Sequence, residues 1–186
     1  MAISELDRLH SKLTKLESQL EGYKGEIVGG AIMMSPVKPI HGKTMRRLGP
    51  MLESQLAGEW EVVEDVAFVF SEDDEFCPDL AVIPAAEETR NLGSYPADLI
   101  ELAVEVVSPS SVRNDYRVKD RAYARAGIAN YLVFDPYKGH CVTLWNPGPD
   151  GYLGRDTVPY GKTVTVESSI GPLSFDTSGL PVALGG

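Results

Sequence analysis

Apolar residues recur at spacings of three and four through Ile3, Leu6, Leu9, Leu13, Leu16 and Leu20, which marks one face of an amphipathic helix. Ser4 and Asp7 form an approximate capping box at its start, and Gly22 ends it. The leucine stripe is heptad-like but too short for a coiled coil, so it packs either on the domain or against a partner's helix. Residues 26–34 predict a strand pair or a bent strand, with Gly29-Gly30 as turn or bulge and Ser35-Pro36 closing it. Helical spacing returns over residues 41–56, with Met45, Leu48, Met51, Leu52 and Leu56 on the buried side. Gly49-Pro50 is expected to kink or split that helix. Residues 60–70 alternate as a strand, and residues 71–75 predict an acidic, solvated hairpin tip.

Apolar runs at residues 80–83 and 100–107 predict two strands separated by a polar stretch. Residues 110–127 are helical in pattern. Residues 130–136 are a continuous apolar run of the kind found in strands covered on both faces. The pieces at 141–145, 151–153, 163–166 and 173–175 predict antiparallel additions to a mixed sheet. In the strand-helix-strand unit over residues 100–135, a crossover lays the helix on the sheet. The division that follows is an N-terminal helix over 1–22, one domain over 23–178 and a flexible tail over 179–186.

Composition narrows the function. The 186 residues, 43% of them hydrophobic, suffice for one domain with its own core. A formal net charge of -10 argues against indiscriminate, charge-driven nucleic-acid binding. A phosphate substrate therefore requires a local basic patch or a bound cation. Cys77 and Cys141 form no CxxC pair and have no histidine cluster beside them, so neither a zinc site nor a disulfide framework is indicated. There is no signal-like apolar stretch and no run of ~18 apolar residues. A soluble, cytoplasmic protein without a membrane partner is expected.

The helix over 110–127 carries the chemistry. Its spacing puts Lys119 on one face with Tyr116, Ala122, Tyr123 and Ala126, the face an amphipathic helix turns to its core. Glu105 interrupts the apolar run before it, and Asp79 opens the strand before that. Two carboxylates and a lysine at core-facing positions need one another, or a metal ion, to offset lost hydration. Each also has a plainer reading. Pro78-Asp79 is a common strand opening. A half-exposed strand face would leave Glu105 solvated with Glu101, Ala103 and Val107. Lys119 could pair with Asp115 one turn earlier. As a set, the trio favours a hard divalent cation held by oxygen ligands, and with it metal-assisted phosphodiester hydrolysis.

Together these segments resemble the PD-(D/E)XK nuclease superfamily, and within it the Uma-two family of restriction-endonuclease-like proteins. The resemblance rests on Pro78-Asp79-Leu80-Ala81-Val82, Val104-Glu105-Val106-Val107-Ser108-Pro109-Ser110, the helix from Lys119 to Ile128 and Tyr131-Leu132-Val133-Phe134-Asp135-Pro136. Gly25-Glu26-Ile27 and Met34-Ser35-Pro36 with His41 add to it. It implies an α/β fold with a mixed, curved sheet flanked by helices, and extra antiparallel strands at the C-terminus. It also implies Asp79 and Glu105 as metal ligands, with the Val106 carbonyl as a third. The superfamily's lysine normally stands two residues after the glutamate, where this chain has Val107. Lys119 on the following helix looks like its replacement. Glu26 and His41 match recurrent family positions, as an acid near the metal and a phosphate contact. An exposed strand-end charge and a local helix-start hydrogen bond are their plainer readings.

Arg113, Arg117, Arg121 and Arg125 repeat every four residues, as a basic stripe for a phosphate backbone or as a solvated helix face. Ser108, Ser110 and Ser111 stand where hydroxyls or a helix start hold a phosphate or cap the helix. The expected protein is a magnesium- or manganese-dependent endonuclease acting on DNA. In it Asp79 and Glu105 hold the metal, Lys119 assists the attacking water, and Ser108, Ser110, Arg113 and Arg117 contact substrate. A homodimer would cover the leucine stripe and suit the cutting of two strands. The rival readings are a catalytically silent nucleic-acid-binding module on the same fold, and a protein-interaction module.

Overall fold

The computed structural model describes residues 4–183. Ile3 of the leucine stripe and residues 184–186 of the expected tail lie outside the described residues. Helix α1, Glu5–Glu17, begins with a complete capping box, the Ser4 hydroxyl accepting from the Asp7 amide and the Asp7 carboxylate from the Ser4 amide. Within the stripe Leu13 is buried, whereas Leu16 and Leu20 remain 36% and 40% exposed. The helix lies on strand β1, Tyr23–Val28, at Gly25, where a Cβ would collide with the Leu13 side chain. β1 turns into β2, Ala31–Pro36, through Gly29 and Gly30 at φ 56° and 73°. Two successive left-handed residues are what a type I′ hairpin demands.

Helix α2, Pro39–Glu53, runs through Pro50 unbroken, against the expected kink or split. Pro50 falls in the last turn, so the helix forfeits one backbone bond near an end that frays in any case. The strand expected over residues 60–70 divides into β3, Trp60–Glu64, and β4, Ala67–Val69, which enter different sheets. Asp65 at φ 51° makes the corner between them. The acidic hairpin tip that follows is only partly solvated. Glu75, in β5 (Glu75–Phe76), is 2% exposed, and its carboxylate takes His10 Nδ1 of α1 at 2.8 Å.

The remaining elements are β6 (Leu80–Pro84), the single turn α3 (Ala85–Glu88), β7 (Ser94–Pro96), β8 (Leu102–Val106) and, after a π-turn over Asn114–Val118, α4 (Lys119–Arg125). Then come β9 (Asn130–Asp135), β10 (His140–Gly148), β11 (Gly151–Pro159), β12 (Thr163–Ser168) and β13 (Gly171–Asp176). A central sheet has the order β11-β10-β9-β8-β6-β3, with β8 and β9 parallel and the other pairs antiparallel. A second sheet, β2-β1-β5-β4-β7, is antiparallel apart from the β4–β7 pair. β10 and β11 extend the central sheet as expected of the C-terminal pieces, but β12 and β13 form a hairpin of their own.

Alternation along the central strands sorts the core into two layers. Leu80, Val82, Leu102, Val104 and Val106 face α2 and the β12–β13 hairpin. Ala81, Ile83, Ala103 and Val107 face α4 and the second sheet. The face that would have left Glu105 solvated is thus roofed, and Glu105 is 2% exposed. Glu101 does not share that face; it precedes β8 and accepts the Ser169 hydroxyl. The tail expected over 179–186 is laid on the domain in its described part. Leu180 is buried in the α2-side core and the Ala183 amide donates to the Pro136 carbonyl at 2.8 Å.

Candidate active site

The antiparallel register pairs Leu80 with Val104, and one step further along each strand sets Asp79 opposite Glu105. Like charges directly across a sheet repel, so both carboxylates depend on partners from other elements. Asp79 Oδ2 accepts from the Val106 amide at 2.7 Å and from His41 Nε2 at 3.0 Å, and Oδ1 takes Lys24 Nζ at 2.5 Å. Glu105 Oε1 accepts from Lys119 Nζ and from the Tyr123 hydroxyl, both at 2.7 Å. Lys119 Nζ also reaches Glu26 Oε1 at 2.8 Å and lies 3.6 Å from Asp115. Lys119 is 2% exposed, so its neighbours are buried partners and not the surface helix pair considered from sequence.

Helix α4 is held so that this contact can form. Its C-terminus closes with Gly127 at φ 80°, the Ile128 amide bonding the Tyr123 carbonyl and the Gly127 amide the Ala124 carbonyl, a Schellman arrangement. At its other end the π-turn precedes Lys119 directly, and the Tyr131 hydroxyl caps the Asp115 carbonyl at 2.8 Å. Such turns concentrate at functional sites because they redirect side chains within an otherwise regular helix.

Burial would raise the Asp79 carboxyl, but Lys24 and the His41 hydrogen bond outweigh it and hold Asp79 well below the usual carboxylate range. Glu105 goes the other way. Burial pushes it up, Lys119 opposes this, and Asp79 and Asp115 add to the rise. Asp115 is likewise raised by burial, to about 6, against the pull of Lys119 and Ser111. Both lysines overcome burial through their acidic neighbours and stay protonated, Lys119 through Glu105 and Glu26, Lys24 through Asp79.

These groups line one pocket of about 40 Å³, room for a solvent molecule or an ion. Four acidic side chains, Glu26, Asp79, Glu105 and Asp115, meet two ammonium groups, Lys24 and Lys119, an excess of two acidic groups over basic ones. A divalent cation fits that excess and that all-oxygen donor set. Among the described residues no three acidic, histidine or cysteine side chains form a complete cage. Two carboxylates with a backbone oxygen and water, the shell in which magnesium keeps much of its hydration, suit the pocket better.

Of the sequence-derived site residues, Asp79, Glu105, Lys119, Val106, Glu26, His41 and Ser108 line this pocket. Ser110 is exposed at its edge, its hydroxyl 3.1 Å from that of Ser108. Arg113 and Arg117 are not brought to it; they face a separate groove across the helix from Lys119. Ser111, expected with Ser108 and Ser110 at the helix start, also lines the pocket, whereas Lys24, Asp115 and Tyr123 were missed as site residues. Lys24 had a signal, since it stands two residues before Glu26 on a strand and so shares its face. Val107 is 1% exposed within the apolar layer under α4, and the ammonium that reaches Glu105 comes from α4.

A mixed sheet flanked by helices, with two strand carboxylates and a lysine gathered beside it, defines the restriction-endonuclease-like class of α/β domain. The chain belongs to the Uma2 family, described as "Putative restriction endonuclease", whose model matches residues 10–182. A solved structure described as a putative nuclease belonging to DUF820 from Anabaena variabilis ATCC 29413 is similar in fold. Its TM-score is 0.64 at 14% sequence identity, over 89% of each chain. No curated protein matches the sequence significantly. Among the described residues no helix is long and apolar enough to cross a membrane.

Proposed function

We propose that this protein is a magnesium- or manganese-dependent endonuclease that hydrolyses phosphodiester bonds in DNA. The observation that carries the reading is the meeting of Asp79, Glu105 and Lys119, from three separate elements, in one pocket where carboxyl groups outnumber ammonium groups. Asp79, Glu105 and the Val106 carbonyl would hold the metal, which supplies Lewis-acid polarisation of the phosphate and lowers the pKa of bound water. The Val106 amide and His41 fix the Asp79 carboxylate, and Tyr123 fixes Glu105. Glu26 and Glu105 engage two of the three Lys119 donors. The third is left for the attacking water or a phosphate oxygen, where a positive charge stabilises developing negative charge. Ser108 and Ser110 stand at the mouth to contact the substrate phosphate.

Calorimetric titration with magnesium or manganese, paired with plasmid and linear-DNA cleavage assays, tests this. Asp79→Asn and Glu105→Gln are expected to lose metal binding and cleavage together, and Lys119→Ala to cut turnover on the order of 10² to 10³-fold while still folded by circular dichroism. Equal metal binding by parent and both carboxylate variants rules the metal site out. Val107 at the usual lysine position favours a second reading, a catalytically silent DNA-binding module on the same fold. That reading gains if the parent binds DNA and metal and never cuts.

A homodimer belongs to the same proposal. Leu16 on α1 and Leu20 just past its end stay exposed, and a two-fold pair would present two sites to two strands. Sedimentation equilibrium is expected to give twice the chain mass, reduced to one by Leu16→Glu with Leu20→Glu; a monomeric parent ends this part of the proposal.

A further inference from the structure

The four arginines of the helix do not serve the acidic pocket, yet they are not scattered. Arg113, Arg117, Arg121 and Arg125 are all exposed and line one groove of about 460 Å³ with Phe70, Ser71 and Asp74. Of the five other arginines, Arg8, Arg90 and Arg155 have acidic partners, Glu5, Glu87 and Asp120, while Arg47 bonds the Gly179 carbonyl and Arg46 stands unpaired beside it on α2 among the described residues. Among the described residues Arg113, Arg117 and Arg121 have no such partner, and Arg125 has only the Pro149 carbonyl at 3.0 Å. One acid, Asp74, also lines the groove, but its oxygens accept from the Gly29 amide and the Ser71 hydroxyl, and none of the four arginines forms an ion pair with it. Like charges at every fourth helical position destabilise a helix, and a chain of net charge -10 has carboxylates to spare. An unneutralised row of guanidinium groups is therefore a surface that lacks its anion.

We propose that this groove binds the phosphate backbone of DNA beside the cleaved bond, through Arg113, Arg117 and Arg121, without regard to base sequence. The inference rests on the reading of the chain as a DNA nuclease. In the α4 part, at 1.5 Å per residue, Arg121 and Arg125 stand about 6 Å apart along the axis, and the π-turn before it keeps the whole row from Arg113 to Arg125 somewhat under the ~18 Å of an uninterrupted α-helix. Regularly spaced anions along one strand match a regular row, whereas the carboxylates of a folded partner have no such period. Arginine is also the side chain whose planar fork suits phosphate. Ser111 lines the acidic pocket and precedes Arg113 by two residues, so the groove begins beside the site and leads away from it.

The test is fluorescence anisotropy of the full chain with a short labelled duplex in EDTA, where cleavage plays no part, at a series of salt concentrations. Replacing Arg113, Arg117 and Arg121 by Gln is expected to weaken binding about tenfold or more at low salt. It should also reduce the slope of log affinity against log salt by about one per arginine removed. The triple Lys variant should keep the parent slope, since the slope counts charges. If the triple Gln variant fails to fold by circular dichroism, the single variants carry the same slope test. An unchanged slope, no binding by the parent, or equal displacement of the DNA by polyglutamate overturns the proposal. Metal-dependent cleavage by a parent whose slope the substitutions leave unchanged removes the groove and spares the nuclease. Arginine-dependent binding without cleavage under either metal does the reverse.

Discussion

Lys119 holds more of this site together than any other residue, because its ammonium group pairs with carboxylates from two different sheets, the buried Glu105 and the half-buried Glu26. Removing one member of a buried ionic network strands the others, which typically costs about 3–5 kcal/mol. Lys119→Met, close in shape, is therefore expected to lose stability in that range in urea unfolding. Loss of less than about 1 kcal/mol would mean that water already screens the pocket. Periodicity turned Lys119 inward from the sequence alone, yet it could not say which acids would meet it. Asp115, one turn away, was the obvious partner and is the most distant of the three at 3.6 Å.

At the scale of elements, helix α4 shows how local chemistry places the Lys119 side chain. Its end depends on Gly127 at φ 80°, where a Cβ would touch nothing within 4 Å, so the cost of a side chain there is backbone strain alone. Gly127→Ala should cost about 1–2 kcal/mol and reduce protection of the Tyr123 to Ile128 amides in hydrogen exchange; unchanged protection would show that the helix does not need this cap. The α1 capping box, the Gly29-Gly30 turn and the buried strands were all readable beforehand, because each follows from neighbours a few residues apart. What misled was equally local. The alternation of residues 60–70 hid the corner at Asp65, and a proline that breaks helices in their interior proved tolerable in the last turn of α2.

For the whole molecule, the boundary drawn after residue 178 left out a residue that belongs to the core. Leu180 is 6% exposed among α2, β12 and β13 residues. Leu180→Ala should cost about 2–5 kcal/mol, and truncation after Ser178 at least as much, as read by urea midpoint. A truncated chain as stable as the parent would return residues 179–183 to the status of a tail. The charge pattern also belongs to this scale, since six of the seventeen cationic residues of an acidic molecule gather in two places, two in the pocket and four along one groove.

The chain by itself determined its fold class, most of its strands and helices, and the inward turn of Asp79, Glu105 and Lys119, since periodicity and interrupted apolar runs report burial wherever a residue sits in sequence. Only the tertiary structure decided that Glu105 is roofed by α4, that Glu75 is buried under His10, that Lys24 closes on Asp79 and that Arg113 and Arg117 face away from the pocket. Those outcomes depend on which sheet face another element covers and on pairings between segments remote in the chain, and no spacing within one segment encodes them.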